Sequence, residues 1–80
     1  MSKDFRVEIL DEIKVVFAEE GVTFEESMLG LPVMDIGVDS LTYAVLVARL
    51  EAKIGKDPFT EQPERAYPNL LSDFVDAYLE

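Results

Sequence analysis

Ser40 is the residue of this sequence best placed for covalent chemistry. It follows Asp39 and precedes Leu41, where a long apolar run begins and where we predict the start of a helix. The first turn of a helix holds unpaired backbone N–H groups and the positive end of the helix dipole, so a phosphate esterified to the Ser40 hydroxyl would be stabilised there. We hypothesise that Ser40 carries a covalently attached phosphorylated group.

The competing interpretation is that Ser40 is an ordinary helix cap, which is a common use of serine. Asp39 is the better candidate for that cap, and Gly37 would let the backbone turn close to Ser40. The remaining serines lack this context and are interpreted as capping or solvated residues: Ser2, Ser27 and Ser72.

Composition argues against catalysis by this chain on its own. The sequence has no Cys and no His, which removes thiol nucleophiles, disulfides, thiolate zinc sites and the usual general base near neutral pH. Carboxylate pairs such as Asp35 with Asp39 are present, but an acid–base dyad needs a pocket that separates the two pKa values, and 80 residues leave little volume for one. We therefore predict that the chain is not an enzyme.

A metal site is the second chemistry to weigh. Asp35 and Asp39 flank a glycine, but a calcium loop needs oxygen ligands at several alternate positions and a terminal Glu. The residues after Asp39 do not supply them, so we predict no metal site beyond a weak surface cation site.

Hydrophobic periodicity predicts three main helices around Ser40. The first covers residues 3–20, with Ser2 as a possible cap and Gly21 at its end; the second continues from Ser40 to about residue 54 and ends at Gly55. The last begins after Asn69, a good cap, and runs nearly to the C-terminus.

Two connections join these helices. Residues 21–38 lose the helical period but keep many apolar side chains, which predicts a long loop packed across the bundle. Residues 56–68 contain three prolines, which predicts a connection with at most one short helical turn, starting at Pro63.

The second helix has two apolar stripes. One has the spacing of a core-facing stripe and comprises Tyr43, Leu46, Val47, Leu50 and Ile54. The other comprises Leu41, Val45, Ala48 and Ala52. Either the long loop or the final elements bury the second stripe, or it is an exposed strip that docks other proteins.

Chain length and net charge limit the number of domains and the kinds of partner. Residues 1–80 suffice for one small domain, and 17 acidic against 7 basic residues give a net charge of −10. Nucleic acids and anionic membranes should repel this chain, whereas basic protein surfaces should attract it. Without a signal peptide or a membrane-spanning run, we predict a cytoplasmic and monomeric protein, and the initial Met1 favours a free-standing chain.

Residues 35–41, DIGVDSL, resemble the attachment motif of the acyl carrier protein family, which includes peptidyl carrier proteins. The resemblance extends over the first helix, the long loop and the Pro-led final helix, so it covers nearly the whole chain. It implies an all-α, right-handed bundle of three main helices and one short helix, with a long loop between the first and second helices.

The resemblance also implies a cofactor and partners. A phosphopantetheinyl transferase would attach 4'-phosphopantetheine from coenzyme A to Ser40, with Asp39 aiding recognition and Leu41 next to the attachment point. The thiol of that arm would hold an acyl or aminoacyl group as a thioester, supplied by a loading ligase and used by downstream acyltransferases or synthases. The partner-docking residues would be Met34, Asp35, Leu41, Thr42, Val45 and Ala48.

The chain departs from the pattern of fatty-acid carriers in its second helix. Such carriers place several acids after the motif, whereas this helix offers Thr42, Val45 and Ala48, with Glu51 as its acid. We therefore expect a specialised carrier for an amino acid, a polyketide unit or an unusual acyl chain. The alternative from another class is a small acidic adaptor that binds a partner through Leu41, Val45 and Ala48 and carries no covalent group.

Overall fold

Two antiparallel helices position the candidate site. The structure is a computed structural model that describes residues 5–61 and 68–79, apart from the side chains of residues 60 and 61. Helix α1 comprises Arg6–Glu19 and helix α2 comprises Ser40–Ile54. Glu12, in the middle of α1, contacts the second half of α2, whereas Glu19 at the end of α1 lies across a groove from Leu41 at the start of α2.

The other described elements complete an all-α fold, as the sequence predicts. Helix α3 comprises Pro58–Glu61 and helix α4 comprises Leu71–Leu79, and two 3₁₀ helices, Glu26–Gly30 and Val33–Asp35, lie between α1 and α2. Across residues 5–61 and 68–79 the structure contains no strand beyond an isolated bridge between Pro32 and Leu70. None of the helices in these ranges has the length and apolarity required to cross a lipid bilayer.

The core is built from one face of each long helix. Burial of a large apolar side chain contributes about 1.5–3 kcal/mol, so these faces supply the main driving force for packing. The predicted core stripe of α2 is confirmed by the burial of Tyr43, Leu46 and Leu50, with Val47 and Ile54 half-buried against the core. Fully buried partners come from the other two long helices: Ile9, Ile13 and Phe17 of α1, and Leu71, Phe74 and Tyr78 of α4.

The helix ends agree with the sequence prediction in part. Gly55 ends α2 with a φ of 75° and donates its N–H to the Glu51 carbonyl at 2.9 Å, as expected for a C-terminal glycine. Helix α1 begins at Arg6, and the expected cap Ser2 lies outside the described residues.

The predicted cap of the last helix is wrong. Helix α4 begins at Leu71, and the Leu70 carbonyl accepts a hydrogen bond from the Phe74 N–H at 3.2 Å, so Leu70 rather than Asn69 occupies the cap position. The Asp73 carboxylate accepts a bond from the Leu70 N–H at 3.2 Å, which is the return half of a capping box. Asn69 instead contributes its carbonyl to a contact with the long loop.

The long loop between α1 and α2 packs against α4, as predicted. The Val33 N–H donates to the Asn69 carbonyl at 2.8 Å, and the Leu71 N–H donates to the Leu31 carbonyl at 3.0 Å. Phe24, Met28 and Leu29 are partly buried against the core. These contacts fix the segment that leads into Ser40.

A short helix lies before the segment in which the sequence predicts one. Helix α3 begins at Pro58, whereas the predicted start, Pro63, lies outside the described residues. Proline suits the first position of a helix, and Phe59 stacks on Phe74 with 5.5 Å between ring centroids. A tertiary contact therefore favours the earlier position.

Candidate functional site

Ser40 is the first residue of α2 and is exposed to solvent. The preceding residue, Asp39, has extended backbone angles, with φ −89° and ψ 174°, as is usual for a residue at the cap position. Ser40 therefore lies at the positive end of a helix of 15 residues, with its side chain on an open surface.

Asp39 is the cap of α2. Its Oδ1 accepts a hydrogen bond from the Thr42 N–H at 2.9 Å and another from the Thr42 hydroxyl at 3.1 Å. The bond from the Thr42 backbone, followed by that from its hydroxyl, holds the pKa of the Asp39 carboxyl below its usual range. The interpretation of Ser40 as the helix cap is therefore wrong, because Asp39 fills that position.

Gly37 turns the chain just before the site. Its φ is 101°, a conformation that residues with a Cβ atom rarely adopt, which explains the glycine. A Cβ built at this position meets no atom within 4 Å, so backbone conformation rather than space requires glycine here.

The hydroxyl of Tyr43 connects α2 to the preceding loop. It donates to the Val33 carbonyl at 2.8 Å in the protein interior. The sequence pattern placed Tyr43 in the core stripe but gave no sign of this bond, because its partner is a backbone atom ten residues away. The bond anchors the second 3₁₀ helix, on which Met34 and Asp35 are exposed.

The second apolar stripe of α2 is exposed. Leu41 is 70% exposed and Val45 is 42% exposed, and Ala48 and Ala52 also face solvent. The interpretation that the loop or the final elements bury this stripe is therefore wrong. We call the exposed surface formed by Met34, Asp35, Leu41, Val45 and Ala48 the docking strip.

Thr42 does not belong to this surface. It is 6% exposed, and both its N–H and its hydroxyl are bonded to Asp39. Thr42 was predicted as a docking residue, and it lines a groove together with Val16 and Glu19 of α1, although little of its surface is exposed.

An ion pair that sequence reasoning missed joins α1 to α2. Glu12 is largely buried, and its two carboxylate oxygens accept bonds from Arg49 at 2.7 Å and from Lys53 at 3.1 Å. The bond from Arg49 lowers the pKa of Glu12, and the same bond raises the pKa of Arg49. The sequence did contain a signal for this ion pair. Glu12 is an acid within the core stripe of α1, and the two cations are one turn apart on α2.

A surface groove lies between the end of α1 and the start of α2. Its apolar part is formed by Val16, Leu41 and Val45, its acidic side chains are Glu19, Glu20 and Asp39, and Thr42 completes the lining. We call it the α1–α2 groove. It adjoins Ser40, because Asp39 and Leu41 are the neighbours of Ser40 in the chain.

At the start of α2, the described residues offer one kind of covalent chemistry. Ser40 presents a primary alcohol at a helix start, where a phosphoester would be stabilised. Nowhere among residues 5–61 and 68–79 do three Asp or Glu side chains come together as a group able to hold a metal ion.

Comparison of the chain with models of protein families, with curated proteins and with solved structures found no match.

Proposed function

We propose that this chain is a carrier protein whose Ser40 bears a 4'-phosphopantetheine arm. The observation that carries the proposal is the exposure of Ser40 at the first position of α2, with Asp39 as the cap and Gly37 as the turn before it. Because Asp39 caps α2, Ser40 can be modified without loss of the hydrogen bond that stabilises the helix start. The chain itself is not an enzyme in this proposal.

A phosphopantetheinyl transferase would perform the attachment with coenzyme A. The Ser40 hydroxyl would lose its proton to the transferase, and its oxygen would bond to the phosphorus of the phosphopantetheine half. The bond to the nucleotide half would break, and that half would leave as a bisphosphate. The dipole of α2 would stabilise the resulting phosphodiester at its N-terminus.

The residues around Ser40 fit this group. Leu41 and Asp39 flank an open surface, and no side chain has to move out of the core to admit a phosphate at Ser40. When bound, the arm supplies a thiol for thioester chemistry, which a sequence without cysteine cannot supply itself. The chain then serves as a shuttle that presents an acyl or aminoacyl cargo to successive enzymes.

The docking strip would serve these partners, which are a loading ligase and downstream acyltransferases or synthases. Its apolar character favours a specialised carrier, for an amino acid, a polyketide unit or an unusual acyl chain. The net charge of −10 favours weak, electrostatically guided encounters with basic surfaces, which suits a shuttle that must also leave. A monomeric, cytoplasmic protein and a right-handed order of its helices are parts of the same proposal.

A second candidate function uses the same surface without a cofactor. The 70% exposure of Leu41, beside exposed Val45 and Ala48, favours a protein-binding role even if Ser40 is unmodified. In that case the chain would be a small acidic adaptor.

Intact-mass spectrometry separates the two functions. The protein is incubated with coenzyme A and a broad-specificity phosphopantetheinyl transferase, beside the variants Ser40→Ala and Ser27→Ala. A carrier gains one adduct in the wild type and in Ser27→Ala, and none in Ser40→Ala. An adaptor gains no adduct in any of the three proteins, and that result would overturn the carrier proposal.

A further inference from the structure

We propose that the α1–α2 groove binds an apolar side chain that is flanked by Arg or Lys on a partner enzyme. The inference deepens the proposed function and rests on it, because the partners concerned are those that act at Ser40. It adds the end of α1 to a docking surface that the sequence confines to α2 and the residues before it.

The apolar residues of the groove are the reason to expect a hydrophobic side chain as its occupant. Leu41 and Val45 are the exposed walls, and Val16, which belongs to the core, forms the base. A partner's apolar side chain placed between these residues would remove the exposed surfaces of Leu41 and Val45 from water.

The acidic residues of the groove, Glu19, Glu20 and Asp39, form what we call its rim. They are the reason to expect Arg or Lys beside the apolar side chain of the partner. Glu19 and Glu20 stand at the C-terminal end of α1, where the helix dipole is negative, and the last turn of α1 has no basic residue. Acids at that end destabilise a helix, so their placement is unfavourable for α1 alone. A cationic partner would relieve this repulsion.

Arg49, a cation that acts on Glu19, is already engaged. Arg49 interacts electrostatically with Glu19, but its guanidinium donates its short hydrogen bond to Glu12. Asp39, on the other side of the groove, is held as a carboxylate by Thr42. The rim therefore offers negative charge on both sides of an apolar base, which is complementary to an apolar side chain between two basic ones.

The position of the groove sets its use. Asp39 and Leu41 line it and are adjacent to Ser40 in the chain. A partner anchored in the groove would therefore contact the two residues next to Ser40.

A designed peptide tests the groove with the unmodified protein. The probe is a helical peptide of about 15 residues with one Leu and an Arg one turn before and after it. It is titrated into ¹⁵N-labelled protein, and amide shifts are followed by NMR. We expect the largest shifts at Val16, Glu20, Leu41 and Val45.

Two comparisons make the result decisive. Charge reversal in the double variant Glu19→Lys with Glu20→Lys should weaken binding of the peptide by about tenfold or more, because rim charges set the encounter. The matched control is Glu25→Lys with Glu26→Lys, which changes the net charge equally at the 3₁₀ helix that packs on α4.

The inference is overturned if both double variants weaken binding equally, or if a peptide with Ser in place of its Leu gives the same shifts. Those outcomes would mean that the net charge alone attracts the peptide. Because the assay needs neither coenzyme A nor a transferase, its failure is distinct from a failure of Ser40 to accept the arm.

Discussion

Asp39 and Ser40 divide two tasks that one residue often performs. Asp39 accepts both hydrogen bonds from Thr42 and so stabilises the start of α2, which leaves the Ser40 hydroxyl out of the cap. A modified residue that also held the helix would weaken the fold each time it was modified. The separation of cap and attachment point therefore suits a site that is loaded by an enzyme.

Replacement of Asp39 by Ala removes the acceptor for both Thr42 bonds, so the free energy of unfolding falls. Because the fold holds the pKa of Asp39 below its usual value of about 4, its contribution is complete above that value and is lost as the pH falls through the lowered pKa. The gap between wild type and Asp39→Ala should therefore be largest near neutral pH and shrink in acid. Thermal unfolding followed by circular dichroism measures it, with Asp35→Ala as the control, and a gap of equal size in acid would contradict the capping role.

The backbone conformation of Gly37 leads to a prediction about stability. Gly37→Ala should destabilise the protein by about 1–3 kcal/mol, because φ is 101° there. Gly30→Ala is the matched control, since Gly30 has no positive φ and an added Cβ meets no atom within 4 Å. Urea unfolding measures both variants, and equal stabilities would show that the turn at Gly37 tolerates a side chain.

At the scale of elements, the loop before α2 is held by contacts with distant parts of the chain. The Tyr43 hydroxyl bonds to Val33, and Val33 in turn bonds to Asn69 next to α4. The exposed Met34 and Asp35 are thus carried on a segment with a fixed position. Fixed positions of docking residues reduce the ordering cost when a partner binds.

Tyr43→Phe tests this anchoring. Loss of the hydroxyl leaves the buried Val33 carbonyl without this donor, and we expect a loss of about 1–2 kcal/mol in unfolding free energy and faster hydrogen exchange in residues 33–38. Tyr78→Phe is a matched control, because the buried Tyr78 hydroxyl has no hydrogen-bond partner among the described residues and its removal should cost nothing. If both substitutions have the same effect, the Tyr43 bond does not anchor the loop.

The sequence predicts well those elements that depend on residues close together in the chain. The period of apolar residues and the glycine at position 55 are local signals, and they located α1, the core stripe of α2 and its end. The Tyr43 bond and the start of α3 depend on residues far apart in the chain, which no local pattern encodes. The Glu12 ion pair also joins distant residues, but the position of Glu12 in the core stripe of α1 was a local signal for it. In the site, Asp39 was predicted as the cap, whereas the sequence left open whether Leu41 is exposed and did not indicate that Thr42 is buried.

At the scale of the whole molecule, acidic charge and an exposed apolar strip act together. In the proposed function, the net charge of −10 would attract basic surfaces at a distance, and Leu41 and Val45 would provide contact once a partner has arrived. The cations Arg49 and Lys53 are bound to Glu12, so they do not oppose this attraction as free charges would.

Val45→Glu tests the docking strip in the whole molecule. The substitution places a charge where a partner would bury an apolar side chain, so kcat/KM for loading by the transferase should fall by about tenfold, which corresponds to roughly 1.4 kcal/mol. Val7→Glu is the matched control, since Val7 is exposed near the opposite end of the antiparallel helix pair. Equal effects of the two substitutions on steady-state kinetics would contradict a docking role for this strip.

The most direct test of the central claim is to locate the attached group by fragmentation mass spectrometry of the protein after loading with coenzyme A and transferase. The account predicts a single phosphopantetheine group, with the fragment ions placing it on Ser40. Absence of the group, or its assignment to Ser27, Ser72 or another hydroxyl, would contradict the account.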